Sequence, residues 1–503
     1  MSRTKKFIYN STATAFYQII LMLAGLITPR IMLKMYGSEI NGLVSSINQF
    51  IVYFNLVEAG LSGAAIYALY KPLADNDHKA INGVVTAAKK FYIQSGYIFV
   101  SLTIGLAVIY PMLLKSYAVT PLNIGLLVLI LGANGALEFF TLAKYRVLLS
   151  ADQRTYIVSL ASIVHIGVHT LIIVVLANQR VDIVVLQFVA LLSIFLRSFI
   201  LMVYVKVKYK YINYMVEPNI AALNKRWDAL YLQILGAIHT GAPVVILTLT
   251  TGNLKLVSVY TIFNMIIAGL NGILSIFISG LSASFGDVIA RGEEKILQKA
   301  YREFEFSYYS LITVVYSTAF ITIMPFIRIY TSGVADFNYN LPQIGFLFVL
   351  NGFLFNIKTP QGMLVISAGM FKETKCQTAI QGVITVIIGT ILAPFLGVAG
   401  VLIGSILSNI YRDIDLLFFI PQNVTKLPVR KTTYRIIRIF MCTMIIWIPF
   451  LFIGLNPTSY ISWFGTAFLI GGYSVLVVVL SGFVFDRDDM ISAAKRILGM
   501  VRQ

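Results

Sequence analysis

Eleven ionisable side chains sit inside runs of apolar sequence: Arg30, Glu58, Glu138, His165, His169, Arg197, His239, Lys358, Arg412, Asp413 and Asp415. Each charge costs at least about 2.5–3.5 kcal/mol at a membrane-helix centre, so each is expected to face the protein interior or water. Arg30, Arg197, Lys358 and Arg412 are cations, whereas Glu58 and Glu138 are the acids deepest in their runs. An excess of deep cations suggests an anionic cargo, and guanidinium matches phosphate oxygens. Pairing between helices is the competing reading, Arg197 with Glu138 or Arg412 with an acid, and both stay open. Glu58 and Glu138 are candidates for coupling to a cation, because a carboxyl in such a site exchanges protons and attracts ions.

His165 and His169 stand four apart, on one helical face, as two metal ligands would. No Cys, Asp or Glu beside them completes a site, so a polar lining or proton relay is expected and no metal. Two cysteines, Cys376 and Cys442, lie in separate segments and form neither a disulfide framework nor a C-x-x-C motif. The chain has no Walker loop, nucleophile elbow or metalloprotease motif, so neither an enzyme nor a cofactor is expected.

What must position these groups is a membrane-spanning scaffold. The 503 residues are 58% hydrophobic and 12% charged, about half the charge of a soluble globular chain. Apolar runs give fourteen candidate spans, near 10–34, 41–69, 91–114, 122–146, 155–177, 183–206, 228–250, 255–285, 306–330, 342–370, 376–395, 398–420, 436–455 and 460–484. All should be helices, because lipid leaves no other partner for an isolated backbone. Arg3, Lys5 and Lys6 before the first run imitate a signal peptide, but no small-residue cleavage site follows, and the run reads as the first span.

The net charge of +18 would suggest nucleic acid on a soluble protein, yet here the cations fall between the runs. Alternate connections hold 30 Lys and Arg; the intervening ones hold only Lys34, Lys115, Arg180, Lys255 and Arg328. The positive-inside rule therefore puts both termini in the cytoplasm of a multi-pass inner-membrane protein, with the lipid bilayer and not nucleic acid as its partner. The sequons at Asn10 and Asn423 fall on that side and carry no glycan expectation.

An offset of 215 residues pairs Gln18 with Gln233, Gly37 with Gly252, Gly167 with Gly382, Thr170 with Thr385, Ser193 with Ser408 and Arg197 with Arg412. An offset of 214 pairs Pro29 with Pro243 and Pro111 with Pro325. The sequence thus predicts two six-helix lobes, 1–213 and 214–420, followed by helices 13–14 and a tail over 421–503. Six spans per unit give both lobes one orientation, related by a pseudo-twofold along the membrane normal, as in parallel-repeat transporters that rock around a midplane cavity.

Three stretches carry a family likeness. They are Asn10-Ser11-Thr12 leading into Ile27-Thr28-Pro29-Arg30; Tyr36-Gly37-Ser38-Glu39-Ile40-Asn41-Gly42 leading to Tyr53-Phe54-Asn55-Leu56-Val57-Glu58-Ala59-Gly60-Leu61; and Tyr145-Arg146-Val147-Leu148-Leu149-Ser150-Ala151-Asp152-Gln153. Together they resemble the polysaccharide-transporter, Wzx-type flippases of the MOP superfamily. The resemblance implies a V-shaped pair of lobes around a cationic central cavity, lined here by Arg30, Arg197, Lys358 and Arg412. It implies as cargo an undecaprenyl-pyrophosphate-linked oligosaccharide moved to the outer leaflet of a bacterial cytoplasmic membrane. A coupling cation (H+ or Na+) and a polysaccharide polymerase partner belong to the same expectation.

In the related lipid II flippases the last two spans help form a groove for the lipid tail. Those flippases also carry more arginines in the first spans than this chain, where Arg30 stands alone deep in span 1. The alternatives are a teichoic-acid-type or lipid II flippase of the same superfamily, or a MATE-like drug exporter, against which the two extra spans and the deep cations argue. A membrane-bound polymerase of the pathway would need a large extracytoplasmic loop, and every outward connection here is short.

Overall fold

The computed structural model describes residues 3–114, 116, 118–223, 226–279 and 281–501. Lys115, Lys225 and Arg502 of the charge pattern, and the side chains of Gln233 and His239, lie outside what is described. Every regular element among the described residues is helical. The chain packs as two units, Met1–Thr261 and Ile262–Gln503.

In the first unit the helices are α1 (Arg3–Phe54), α2 (Leu61–Ala74), α3 (His78–Leu113), α4 (Pro121–Leu137), α5 (Ala143–Ala151), α6 (Thr155–Asn178), α7 (Ile183–Leu191), α8 (Ser193–Lys208) and α9 (Arg226–Thr251). Helix α10 (Leu254–Ser279) begins in the first unit and ends in the second. The second unit continues with α11 (Leu281–Ala290), α12 (Glu294–Tyr330), α13 (Pro342–Ile357), α14 (Thr359–Ser367), α15 (Lys375–Leu396), α16 (Val398–Ile420), α17 (Val429–Leu451), α18 (Tyr460–Phe485) and α19 (Arg487–Val501).

Ten helical stretches among the described residues are long and apolar enough to cross a membrane. They account for the sequence runs as follows. The first two runs form one stretch, Ile8–Ala74, because α1 continues through a bend at Gly37. The seventh run is helical as α9, Arg226–Thr251; the tenth and twelfth are helical but fall short, because α13 and α14 are interrupted at Lys358 and α16 carries Arg412, Asp413 and Asp415.

Local chemistry sets the helix ends. Asp77, Thr120 and Asp182 each accept a hydrogen bond from a backbone N–H of the first turn that follows, those of Ala80, Asn123 and Val184. Such caps satisfy donors that have no partner inside the helix.

The turns between helices recur. Left-handed backbone occurs at Gly37 and Gly252, at Asn76 and Gly292, at Gln153 and Gly369, and at Arg180 and Gly397. Each pair is displaced by 215 to 217 residues. Helices α3 and α12, 36 and 37 residues long, start after the second of these turn pairs. Helices α7 and α16 both start after the fourth. A π-helical stretch at Glu138–Leu142 follows α4 in the first unit, and a break at Lys358 separates α13 from α14 in the second. At the paired positions Ser193 and Ser408, each hydroxyl donates to the carbonyl three residues back, Ala190 at 2.7 Å and Ser405 at 2.8 Å.

Helices α15 and α16 pack backbone to backbone because glycine stands at the crossing. A Cβ on Gly400 would meet the Leu392 carbonyl oxygen at 2.5 Å, and one on Gly404 would meet the Gly389 nitrogen at 2.8 Å. Close approach through small residues replaces the hydrophobic drive that lipid removes. Large apolar side chains such as Leu122, Phe199, Phe395, Phe468 and Val484 remain exposed, as a lipid-facing surface requires.

Candidate functional site

The N-terminal sequence motifs meet in space. Asn10 donates from Nδ2 to the Gln153 carbonyl at 2.9 Å, and its Oδ1 accepts the Tyr156 N–H at 2.8 Å. Lys6 donates to both the carboxylate and the carbonyl of Asp152 at 2.8 Å. Arg154 and Tyr209 donate to the other Asp152 oxygen at 2.6 and 2.5 Å. Burial alone would raise the Asp152 pKa, but the hydrogen bonds from Lys6 and Tyr209 and the Arg154 charge hold its carboxyl below the usual range. The start of α1 is thereby pinned to the turn into α6. Beside the bend of α1 at Gly37, Tyr36 donates to the Val181 carbonyl at 2.5 Å, and Glu39 accepts from Ser116 at 2.6 Å.

The acids Glu58 and Glu138 converge on Arg146. Glu58 ends a short 3-10 turn after α1, where the chain bends into α2, and Glu138 opens the π-helical stretch after α4. Arg146 donates to Glu58 and, at 2.8 Å, to Glu138; Arg197 approaches Glu138 to 3.7 Å. Two guanidinium groups and two carboxylates therefore balance. Beside them opens a polar cavity of about 250 Å³ whose lining includes Asn55, Glu58, Ser62, Glu138 and Arg146. The Arg197 Nε is buried without a hydrogen-bond partner. His165 lies against Ser193 at 3.1 Å, and the His165 and His169 rings are 5.8 Å apart. Arg30 is half-buried on α1, directly after Pro29. Among the described residues no group of His, Cys, Asp and Glu could hold a metal ion.

In the second unit Lys358 occupies the break between α13 and α14. Its ammonium donates to Asn409 Oδ1 at 2.5 Å and stands 4.7 Å from the Phe355 ring centre. Asn409 in turn donates to Asn351 at 2.9 Å, and Gln381 donates to Asn409 at 3.3 Å. Asp413 lies close enough to act on the Lys358 charge, and one of its carboxylate oxygens is buried without a partner. Arg412 is buried and pairs with Asp415 one turn along the same helix, at 2.5 Å.

A larger charge network was counted in the sequence as connecting-segment cations. Arg435, fully buried on α17, pairs with Glu305 at 2.8 Å, Asp486 at 3.2 Å and Asp489 at 2.5 Å. Arg438 joins Asp486 at 2.6 Å, Lys431 joins Asp489 at 2.6 Å, and Thr432 donates to Glu305 at 2.9 Å. These contacts tie α17 and α19 to α12. Above Arg438, α17 and α18 border an apolar groove of about 400 Å³, with Ile437, Met441, Cys442, Val477 and Leu480 among its walls.

No family model and no curated protein sequence matches the chain. Solved structures do. The chain is similar to the lipid II flippase MurJ in an inward closed conformation, with a TM-score of 0.70 and 15% identity over 96% of this chain and 99% of that one. This chain has the fold of the MOP superfamily. It is also similar to an inward-facing multidrug resistance MATE family transporter of that superfamily, with a TM-score of 0.65 and 17% identity over 84% of this chain and 95% of the other. A third likeness is to a MOP superfamily transporter from Pyrococcus furiosus Vc1 (DSM3638), for which a reversed polarity of the binding pocket suggests a different function. There the TM-score is 0.57 and the identity 16%, over 87% of this chain and 96% of that one. These neighbours are transporters and flippases, and the chain is a multi-pass membrane protein of their architecture.

Proposed function

We propose that this protein is a flippase that carries an undecaprenyl-pyrophosphate-linked oligosaccharide across the bacterial cytoplasmic membrane by alternating access. It does so with fourteen crossings, two repeated six-helix bundles and an added C-terminal pair. The observation that carries the reading is the extent of the MurJ likeness, which takes in 96% of the chain, whereas the MATE likenesses take in 84–88%. A twelve-span drug exporter offers no counterpart for an added pair of helices. Here that pair is held by the buried Arg435 network and bears an apolar groove suited to a polyprenyl tail.

In this reading Arg30 and Lys358 bind the pyrophosphate, with Arg197 and Arg412 as further cations. Arg412 is paired with Asp415, and Arg197 stands near Glu138. Lys358 suits a transient anion site because its partner Asn409 is a neutral amide, so an arriving phosphate does not compete with a carboxylate in direct contact. Glu58 and Glu138 couple the cycle to H+ or Na+: neutralising either one removes one of the two ion pairs of Arg146, which joins α5 to the bend before α2. A ligand drives such a change only through its different affinity for the two states.

Cargo of lipid II type is the second reading, favoured by the MurJ likeness itself. Deletion in a glycan-producing host separates the two. Loss of a surface polysaccharide with intact cell-wall synthesis supports the oligosaccharide cargo; arrest of wall synthesis supports lipid II. In this reading both termini lie in the cytoplasm, so a cysteine at Gln298 should be labelled only after permeabilisation, and one at Gly252 from outside intact cells.

A further inference from the structure

We propose a second anion site, on the first unit, formed by Lys89, Lys144 and Tyr214 and suited to a phosphate or pyrophosphate group. Lys89 projects from α3 and Lys144 from α5, and their ammonium nitrogens stand 5.4 and 5.3 Å from the centre of the same Tyr214 ring. Lys144 is also 4.9 Å from the Tyr145 ring centre. Lys206, at the end of α8, is near enough to repel Lys144 as Lys89 does. Three like charges thus share one region, and no ion pair among the described residues involves any of them. Aromatic faces ease the repulsion without neutralising it.

The tyrosine is held in place. The segment bearing it, between α8 and α9, is fastened to the first turns of α3: Asn82 donates to the Tyr211 carbonyl at 3.0 Å and accepts the Asn213 N–H at 3.1 Å. Further along, the Asn219 N–H donates to the Gly83 carbonyl at 3.0 Å, and His78 stacks on Tyr211 with ring centres 3.8 Å apart. The Tyr214 hydroxyl is buried and has no hydrogen-bond partner. A buried donor left unmade is costly, and a phosphate oxygen between the lysines would accept from it. Glu217, the acid on the same segment, is exposed.

On the proposed topology this cluster faces the cytoplasm, where two sources of the same chemistry exist: an anionic lipid headgroup of the inner leaflet, or a phosphate group free in water. The test uses the full-length purified chain in neutral detergent. Binding of inorganic pyrophosphate is measured by calorimetry, and retention of phosphatidylglycerol against phosphatidylcholine by native mass spectrometry. Binding in the first arm identifies a site open to water, and binding only in the second a headgroup site; either supports the proposal.

In the arm that binds, the double variant Lys89→Gln, Lys144→Gln should lose at least tenfold in affinity. Tyr214→Phe should lose about tenfold, as expected for one hydrogen bond to a charged group. The double arginine variant should keep binding, and the exposed control Lys79→Gln should change nothing. If the double glutamine variant does not fold, each single variant carries the same expectation at smaller size. Unchanged affinity in folded glutamine variants, or no binding of either probe by the unsubstituted protein, overturns the site. Glycan translocation does not enter the readout, so a failure here is distinct from a failure of the flippase reading.

Discussion

Arg146 and Glu58 form an ion pair between α5 and the bend that separates α1 from α2, with Glu138 on the other side of the same guanidinium. The three groups are mostly buried but reach a polar cavity, so they are neither a surface pair nor a dry one. Removing Arg146 leaves two carboxylates facing each other. Arg146→Ala should therefore destabilise the protein by about 2 kcal/mol, the scale of lost hydrogen bonds to charged groups. Adding Glu58→Gln should return part of that loss. Thermal unfolding in detergent measures both, and a strictly additive double variant would show that the pair is uncoupled.

The Arg435 network is drier. Arg435 is fully buried and meets Glu305, Asp486 and Asp489 together. Arg435→Met should cost roughly 3–5 kcal/mol, because it strands buried acids and is not a balanced replacement of the whole network. Limited proteolysis should then cut between α18 and α19 sooner than in the unsubstituted chain. Equal protection would mean that the C-terminal helix is held by other contacts.

Two carboxylates outside the spans give a pH dependence of known sign. Asp152 and Asp489 both titrate below their ordinary value of 3.8: burial opposes the charge, and Lys6 with Tyr209, or Lys431 with Arg435, more than offsets it. A depressed native pKa stabilises the fold fully above the unfolded value and loses that contribution as pH falls through the native value. Stability should thus be flat from neutrality down to about pH 5 and fall in more acid solution. Asp152→Asn should lower stability at pH 7 and flatten the acid limb of the curve.

The repeated turns make a further prediction. Arg180 adopts a left-handed backbone, φ 55°, where the second occurrence of the turn has Gly397. That conformation costs a side chain about 1–2 kcal/mol, and glycine gives back roughly 0.5–1 kcal/mol of it through the unfolded chain. Arg180→Gly should stabilise modestly. Gly252→Ala, with open space around its Cβ, should destabilise through the backbone alone. Melting temperatures moving the other way would refute the reading of these turns.

Much of this architecture was legible in the sequence because lipid enforces it: apolar runs must be helical, and cations mark their ends. The repeat was visible at Gly37 and Gly252, since glycine is needed where the backbone turns left-handed. It was hidden at Asn76, Gln153 and Arg180, which adopt the same backbone without glycine. Arg146, Arg435 and Arg438 were read as connecting-segment charges because position along the chain does not tell which cations fold back against acids. Glu138 and Arg146 are eight residues apart with a π-helical stretch between them, a register that regular 3.6-residue periodicity does not anticipate. The amides around Lys358, from Asn351, Gln381 and Asn409, come from three helices and have no local signature.

The central claim is transport of a lipid-linked glycan pyrophosphate with Arg30 and Lys358 as its ligands. The direct measurement is translocation of an undecaprenyl-pyrophosphate-linked oligosaccharide in liposomes containing the purified protein, read by access of a soluble lectin or glycosidase. The unsubstituted protein should move the substrate across the bilayer, Arg30→Lys should retain part of the rate, and the double variant Arg30→Ala, Lys358→Ala should reduce it to that of empty liposomes. Full transport by the stably folded double variant, or none by the unsubstituted protein under an imposed H+ or Na+ gradient, would contradict the account.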